Sequence, residues 1–183
     1  MHYVFIWCAY AQKNLLIIGA EKFSTEIEEL ARLNGYTDIA FLDDKFSKWS
    51  SPVIGTIADL PDLRPRFDSA IVAIGNNANR RIFHELLKEN GYHIPALIHP
   101  TAYVSPDAQI SPGCIVRAKA VVSRYVRLGE GTVVNLGALI DHHCEIGAFS
   151  HIMMGAVIRG NAVIGEQSWV RANEVIEGEP VPI

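Results

Sequence analysis

The stretch Val134-Asn-Leu-Gly-Ala-Leu-Ile140-Asp-His-His-Cys-Glu-Ile146-Gly-Ala-Phe-Ser-His-Ile152 puts an aliphatic residue on every sixth position. Followed outward in both directions, the beat holds without a miss through Val104, Ile110, Val116, Val122, Leu128, Val134, Ile140, Ile146, Ile152, Ile158, Ile164, Val170 and Ile176. A period of six fits neither the 3.6-residue helix nor simple strand alternation. It is the signature of a parallel β-helix, in which each unit gives a short strand and a turn and three units close a triangular coil of about 18 residues. Two positions before each aliphatic runs a column of small residues, among them Ala108, Ala120, Ala138, Ala156 and Ala162. Cys114 and Cys144 stand in that column, which predicts core packing for both rather than nucleophilic or metal chemistry. With Cys8 they make three cysteines, too few and too scattered for a disulfide framework.

The chain ahead of the repeat has a different grammar. Asn14–Gly19, Ile39–Asp43 and Ser69–Gly75 read as short buried strands. Between and after them lie helical patterns at Ser24–Leu33, with Ser24 and Thr25 as candidate N-caps, and at Ala78–Glu89, with Ile82, Leu86 and Leu87 inward and Gly91 as the stop. That order predicts a small parallel sheet of Rossmann-like type with helices across it. The expected organisation is a leader at 1–13, an α/β Rossmann-like domain at 14–95, and an all-β helix domain at 96–183. Ile98 is already in phase with the repeat.

Sixteen basic residues face 20 acidic ones, for a net charge of −4, and the signs are mixed along the chain. No basic block points to nucleic acid or to an anionic membrane. No apolar run reaches the roughly 18 residues that span a bilayer. Met1–Ala11 is apolar and aromatic but lacks Lys and Arg, which argues against a secretory signal. The expectation is a cytoplasmic protein.

Several stretches give the sequence a family likeness: Phe41-Leu-Asp-Asp-Lys45, Ala73-Ile-Gly-Asn-Asn77, Ile98-His-Pro100, Ile140-Asp-His-His-Cys144, Ile146-Gly147 with Phe149-Ser-His151, and Gly160-Asn161. On these residues the chain resembles the NeuD/PglD-type sugar acetyltransferases over nearly all of residues 14–178. The resemblance implies a left-handed β-helix, a homotrimer with active sites between adjacent β-helices, and acetyl transfer from acetyl-CoA to a nucleotide-linked amino sugar or a sialic acid, with no metal. It makes His142 the catalytic base, two residues past Ile140 at a turn. A neutral imidazole near pH 7 suits removal of a proton from an attacking amine or hydroxyl.

By the same likeness His151, Gly160 and Ala172 meet acetyl-CoA and Asn135 belongs to the active site. The family's glutamate directly after the catalytic histidine is replaced here by His143, which leaves Asp141 as the nearby candidate carboxylate. His142 and His151 are nine residues apart, half a coil, so one ligand could meet both only across a subunit boundary. In the first domain Gly19, Asp43, Asp44, Lys45, Gly75, Asn76 and Asn77 are the candidate substrate contacts. The first loop, Gly19-Ala-Glu-Lys-Phe-Ser24, lacks the dinucleotide glycine pattern, and Glu21 would oppose a phosphate, so an NAD site is not expected. Two other readings stand beside this one. The altered loop and early Gly178-Glu-Pro-Val181 ending would suit a non-catalytic scaffold. A trimeric β-helix also suits a metal hydratase of the γ-carbonic anhydrase type, though His142, His143 and His151 have the wrong spacing for its zinc.

Overall fold

The computed structural model describes residues 13–45 and 53–178. The expected leader, Lys13 apart, and the closing Pro180–Ile183 lie outside them. Every aliphatic of the six-residue beat is the second residue of a two-residue strand, from Tyr103–Val104 to Val175–Ile176, and Leu97–Ile98 adds one rung at the start. Each strand pairs in parallel with the one 18 residues on: Val116 with Val134, Val134 with Ile152, Ile152 with Val170. The result is a prism of three parallel sheets. The beat residues point inward and pack with Cys114, Ala120, Ala138, Cys144 and Ala156 into one apolar core. Both cysteines are free and buried, in the packing role predicted for them.

The outward residue of each rung gives each sheet a distinct face. On the first face stand Leu97, Ile115, Val133, His151 and Trp169. On the second stand Tyr103, Val121, Leu139, Val157 and Val175. The third carries Gln109, Arg127, Glu145 and Val163, with Arg127 and Glu145 in an exposed ion pair at 2.7 Å.

The N-terminal part runs β1 (Asn14–Ile18), α1 (Lys22–Leu33), β2 (Asp38–Leu42), β3 (Val53–Gly55), α2 (Leu60–Leu63), β4 (Ser69–Val72) and α3 (Asn77–Glu89). The parallel sheet has the order β3-β2-β1-β4. Alternation splits its side chains between two cores. Leu15, Ile17, Phe41 and Ile71 pack with Ile27 and Leu30 of α1 and with Leu97, Ile115 and Val133 of the prism. Leu16, Ile18, Leu42 and Val72 pack on the other side with Leu60, Phe67 and Leu87. The first prism face is thereby the floor on which the α/β part sits.

Two sequence expectations are corrected here. Ser24 and Thr25 do not cap α1; the helix starts two residues earlier, and their hydroxyls bond back to the carbonyls of Glu21 and Lys22. Ile82 does not face inward but is 62% exposed. The inward stripe of α3 is Arg80, His84 and Leu87, because the helix crosses from the sheet to the prism and meets polar backbone there.

Arg80 is the fastener. Its side chain is 1% exposed. Nε donates to Gly131 O at 2.8 Å, Nη1 to Ile74 O and Gly75 O at 3.0 Å, and Nη2 to Asn77 Oδ1 at 2.7 Å and Phe149 O at 2.8 Å. Asn77 adds bonds from Nδ2 to the carbonyls of Gln167 and Ser168. Burial lowers the Arg80 pKa to about 10, which leaves it cationic at neutral pH. A guanidinium whose donors are all used is cheap to keep and costly to delete, because its carbonyl partners are left unpaired. Arg80→Met is expected to cost about 3–5 kcal/mol of unfolding free energy in urea titrations; a loss below about 1 kcal/mol would show that the two parts hold together without it.

Candidate functional site

The ends of β1, β2 and β4 open on a cavity of about 470 Å³. Its lining includes Gly19, Asp43, Asp44, Lys45, Gly75 and Asn76, so the substrate contacts read from the sequence converge in one place. The position is the switch point of the sheet, where the chain leaves β1 in one direction and β4 in the other. Asn77 is the exception: its side chain turns to the prism. Asn76 caps α3, its side chain accepting from Asn79 N at 2.9 Å. Gly75 leaves open space where a Cβ would stand.

The acids of this cavity are tied to its walls. Asp43 accepts from Ala20 N at 2.7 Å and from Lys45 N at 2.8 Å, and Asp44 accepts from Ile57 N at 3.0 Å. They set the shape of the rim first of all. With Glu21 also in the lining, three carboxylates stand beside Lys45 around the cavity.

Beside the cavity, on the first prism face, a second cluster is buried. His151 and Asn135 are each 4% exposed, and Asn135 Nδ2 lies 3.2 Å from His151 Nε2. Asn135 Oδ1 accepts from Arg117 Nη1 at 2.9 Å, and Arg117 pairs with Glu26 at 2.7 Å. The His151 ring lies 4.6 Å from Trp169 and 6.4 Å from Phe23, and Phe23 also lines the cavity. His151 Nδ1 has no well-formed hydrogen bond. Burial, reinforced by the positive charge of Arg80, drives the His151 pKa down to about 4, against the opposing pull of the Gly75 backbone. His151 is thus a neutral imidazole across the physiological range.

His142 and Asp141 are elsewhere, at the corner where the second face turns into the third. His142 is half exposed. Its carbonyl accepts from Asn161 N in the next coil at 3.0 Å, and Gly160 lies against the ring: a Cβ at Gly160 would come within 2.7 Å of His142 Cε1. With glycine at this position the ring of His142 can lie directly against the backbone of the next coil. Asp141 does not hold the ring. Its Oδ1 accepts from the His142 backbone N–H at 2.7 Å, and Oδ2 stays 3.9 Å from Nε2, beyond hydrogen-bond reach. His142 Nδ1 instead meets His143 Nδ1 at 3.1 Å. Ala172 is exposed at a third location, the corner between the first and second faces.

One chain therefore joins the cavity to His151 and Asn135, and joins His142 to Gly160, but keeps the two groups on different parts of the prism. His142, His143 and His151 do not converge, and among the described residues no group of three His, Cys, Asp or Glu is arranged to hold a metal ion. Among the described residues, neither Cys114 nor Cys144 is poised for attack: burial pushes the Cys114 thiol up to about 12 and raises that of Cys144 as well. Arg80, Arg117 and Trp169 escaped the sequence reading. An arginine on an amphipathic helix or between β-helix rungs reads as surface, and only the docking of the two parts buries it.

Comparison with known proteins gives the following. The family model of the PglD N-terminal domain matches residues 14–87. A curated protein of Bacillus subtilis (strain 168), UDP-N-acetylbacillosamine N-acetyltransferase, is 32% identical over 58% of this chain and 52% of its own length, so the chain spans about half of that relative. The acetyltransferase domain of PglB from Neisseria gonorrhoeae FA1090, solved in complex with acetyl coenzyme A, is 40% identical with a TM-score of 0.87, covering 92% of this chain and 83% of that one. PerB from Caulobacter crescentus, solved with CoA and GDP-perosamine, is 27% identical with a TM-score of 0.77, covering 92% and 91%.

The His151 environment makes a prediction about stability. Its folded pKa lies below the ordinary histidine value of 6.5, so the unfolded chain takes up a proton that the folded chain refuses. The stabilisation is complete above pH 6.5 and is lost as the pH falls toward 4, by about 3 kcal/mol at most. Urea unfolding should show a smaller decline over that window in His151→Gln than in the parent protein; equal declines would contradict a buried neutral His151.

Proposed function

The chain belongs to the NeuD/PglD-type sugar acetyltransferase family, and on that premise we propose that it transfers acetyl from acetyl-CoA to the amino group of a nucleotide-linked amino sugar, with His142 as general base. The observation that carries this reading is the seat of His142, a half-exposed imidazole on a rigid corner with Gly160 close against its ring. The His142 Nε2 lone pair takes the proton from the sugar nitrogen as that nitrogen attacks the thioester carbonyl carbon. The C–S bond then breaks, and the proton passes on to the departing CoA sulfur. Transfer is direct, since Cys114 and Cys144 stay protonated in the core. The substrate's nucleotide is assigned to the cavity of Gly19, Asp43, Asp44, Lys45, Gly75 and Asn76, and acetyl-CoA to a crevice bordered by His151, Gly160 and Ala172.

These groups lie apart in one chain, so the reading requires that copies of the protein complete each other's sites. The second prism face supports such an assembly. Tyr103, Leu139 and Val175 are 57%, 42% and 54% exposed on parallel strands, while the first face is covered from Leu97 to His151 and the third carries the Arg127–Glu145 ion pair. A row of that kind is the usual mark of a protein contact, and this one is bordered by the His142 and Ala172 corners. The proposed assembly is a homotrimer through this face, acting in the cytoplasm on precursors of a surface glycan.

Purified protein should bind acetyl-CoA in calorimetry and acetylate UDP- or GDP-linked amino sugars. His142→Ala should lower kcat at least about 100-fold with acetyl-CoA binding kept. Near parental turnover in that variant would reject the base, and no acetyl-CoA binding by the parent would favour the scaffold reading. Light scattering should give three times the chain mass of 20.2 kDa, falling toward one chain in Leu139→Glu.

A further inference from the structure

The base proposed above has no carboxylate to hold it, since Asp141 Oδ2 is 3.9 Å from Nε2 and Asp141 Oδ1 is engaged by backbone. Its ring contact is with His143: the two Nδ1 atoms are 3.1 Å apart, with the rings near perpendicular at 83°. Two bare nitrogen lone pairs would repel at that distance, so one proton lies between them. We propose that His143 is the positioning residue of His142: neutral His143 accepts a hydrogen bond at Nδ1 from His142 Nδ1–H, and the lone pair of His142 is thereby fixed on Nε2.

His143 is itself braced for this. It sits at φ +57, in the left-handed region, with its N–H bonded to Arg124 O at 3.0 Å. Its ring lies 4.8 Å from that of Tyr125, the residue 18 positions earlier in the stack. The Tyr125 hydroxyl accepts from Arg124 Nη2 at 3.1 Å, and Arg124 Nε bonds to Asp107 at 2.8 Å. An imidazole that accepts at Nδ1 selects the tautomer of its neighbour without the strong pull of a carboxylate on an imidazolium. The charged groups in the neighbouring coils are Arg124 in the coil before, paired with Asp107 one coil further back, and Arg159 in the coil after, paired with Glu177 one coil further on, with Asp141 on the same turn.

This inference rests on His142 being the base, and two kinds of readout keep the two ideas apart. The first needs no activity. Nitrogen-15 NMR of the imidazoles should find His142 protonated at Nδ1 in the parent protein, reverting in His143→Ala to the Nε2–H form that free histidine prefers. The second is kinetic. His143→Ala should lower kcat by about 10- to 100-fold with the acetyl-CoA KM nearly unchanged. His143→Gln, whose amide oxygen can accept the same bond, should recover most of the loss. His143→Glu should move the acid limb of the kcat profile to higher pH, because a carboxylate favours the protonated base. A side chain that only shapes the turn would leave tautomer and acid limb where they are. His142 in the Nε2–H form in the parent, or parental kcat in His143→Ala, overturns the inference. The expected tautomer together with unimpaired turnover in His142→Ala would instead overturn the base while the contact between the two histidines stands.

Discussion

The register that sets each rung on the one 18 residues before it decides where every functional group of this protein stands. A side chain on one rung meets those at plus and minus 18, so sequence positions become columns along the prism. His142 comes over Gly160 and His143 under the reach of Tyr125 for this reason, and Asn135, one residue past its rung, comes beside the rung of His151. The inward column is hydrophobic and cannot shift by one residue without exposing its whole set of aliphatics, which makes the register rigid. A rigid scaffold of that kind can hold an imidazole over a glycine on a turn, where a free loop would not.

The second constraint is electrostatic. The joint between the two parts of the chain buries polar groups beside its apolar core, and each of them is accommodated in its own way. Arg80 stays charged because its donors are met by carbonyls and an amide oxygen. His151 is kept neutral because burial and nearby cations disfavour its proton. Arg117 keeps a partial link to solvent and a carboxylate in Glu26. These choices put a neutral, buried imidazole next to the Gly75 loop, while His142 stands half exposed out at a corner. The two histidines that look alike in the sequence have opposite physical characters.

The prism was legible in the sequence to the residue, because an inward side chain at each sixth position is a strict demand of a triangular coil and nothing else in the chain imitates it. The cavity was legible too, since glycines and acids at strand ends mark the switch point of a parallel sheet. The face of α3 was not. Ile82 has the side chain of a core residue and Arg80 that of a surface residue, and their exchange follows from backbone carbonyls of the prism that no local pattern announces. The partner of His142 was missed for a similar reason. Asp141 is the better orienting group by chemistry, but the turn spends it on the backbone and brings the neighbouring ring to Nδ1 instead.

The central claim is that the cavity of one copy works with His142 of another. It can be put to the test by mixing two inactive variants, His142→Ala and the cavity-filling Gly75→Phe, through co-expression with separate tags. In randomly mixed trimers about a quarter of the sites would combine an intact cavity with an intact His142 from the neighbour. Doubly tagging removes the unmixed trimers, so activity recovered to about a third of the sites in the doubly tagged fraction is the expected result. A mixture as inactive as either variant alone would mean that cavity and base belong to one chain, and would contradict the account.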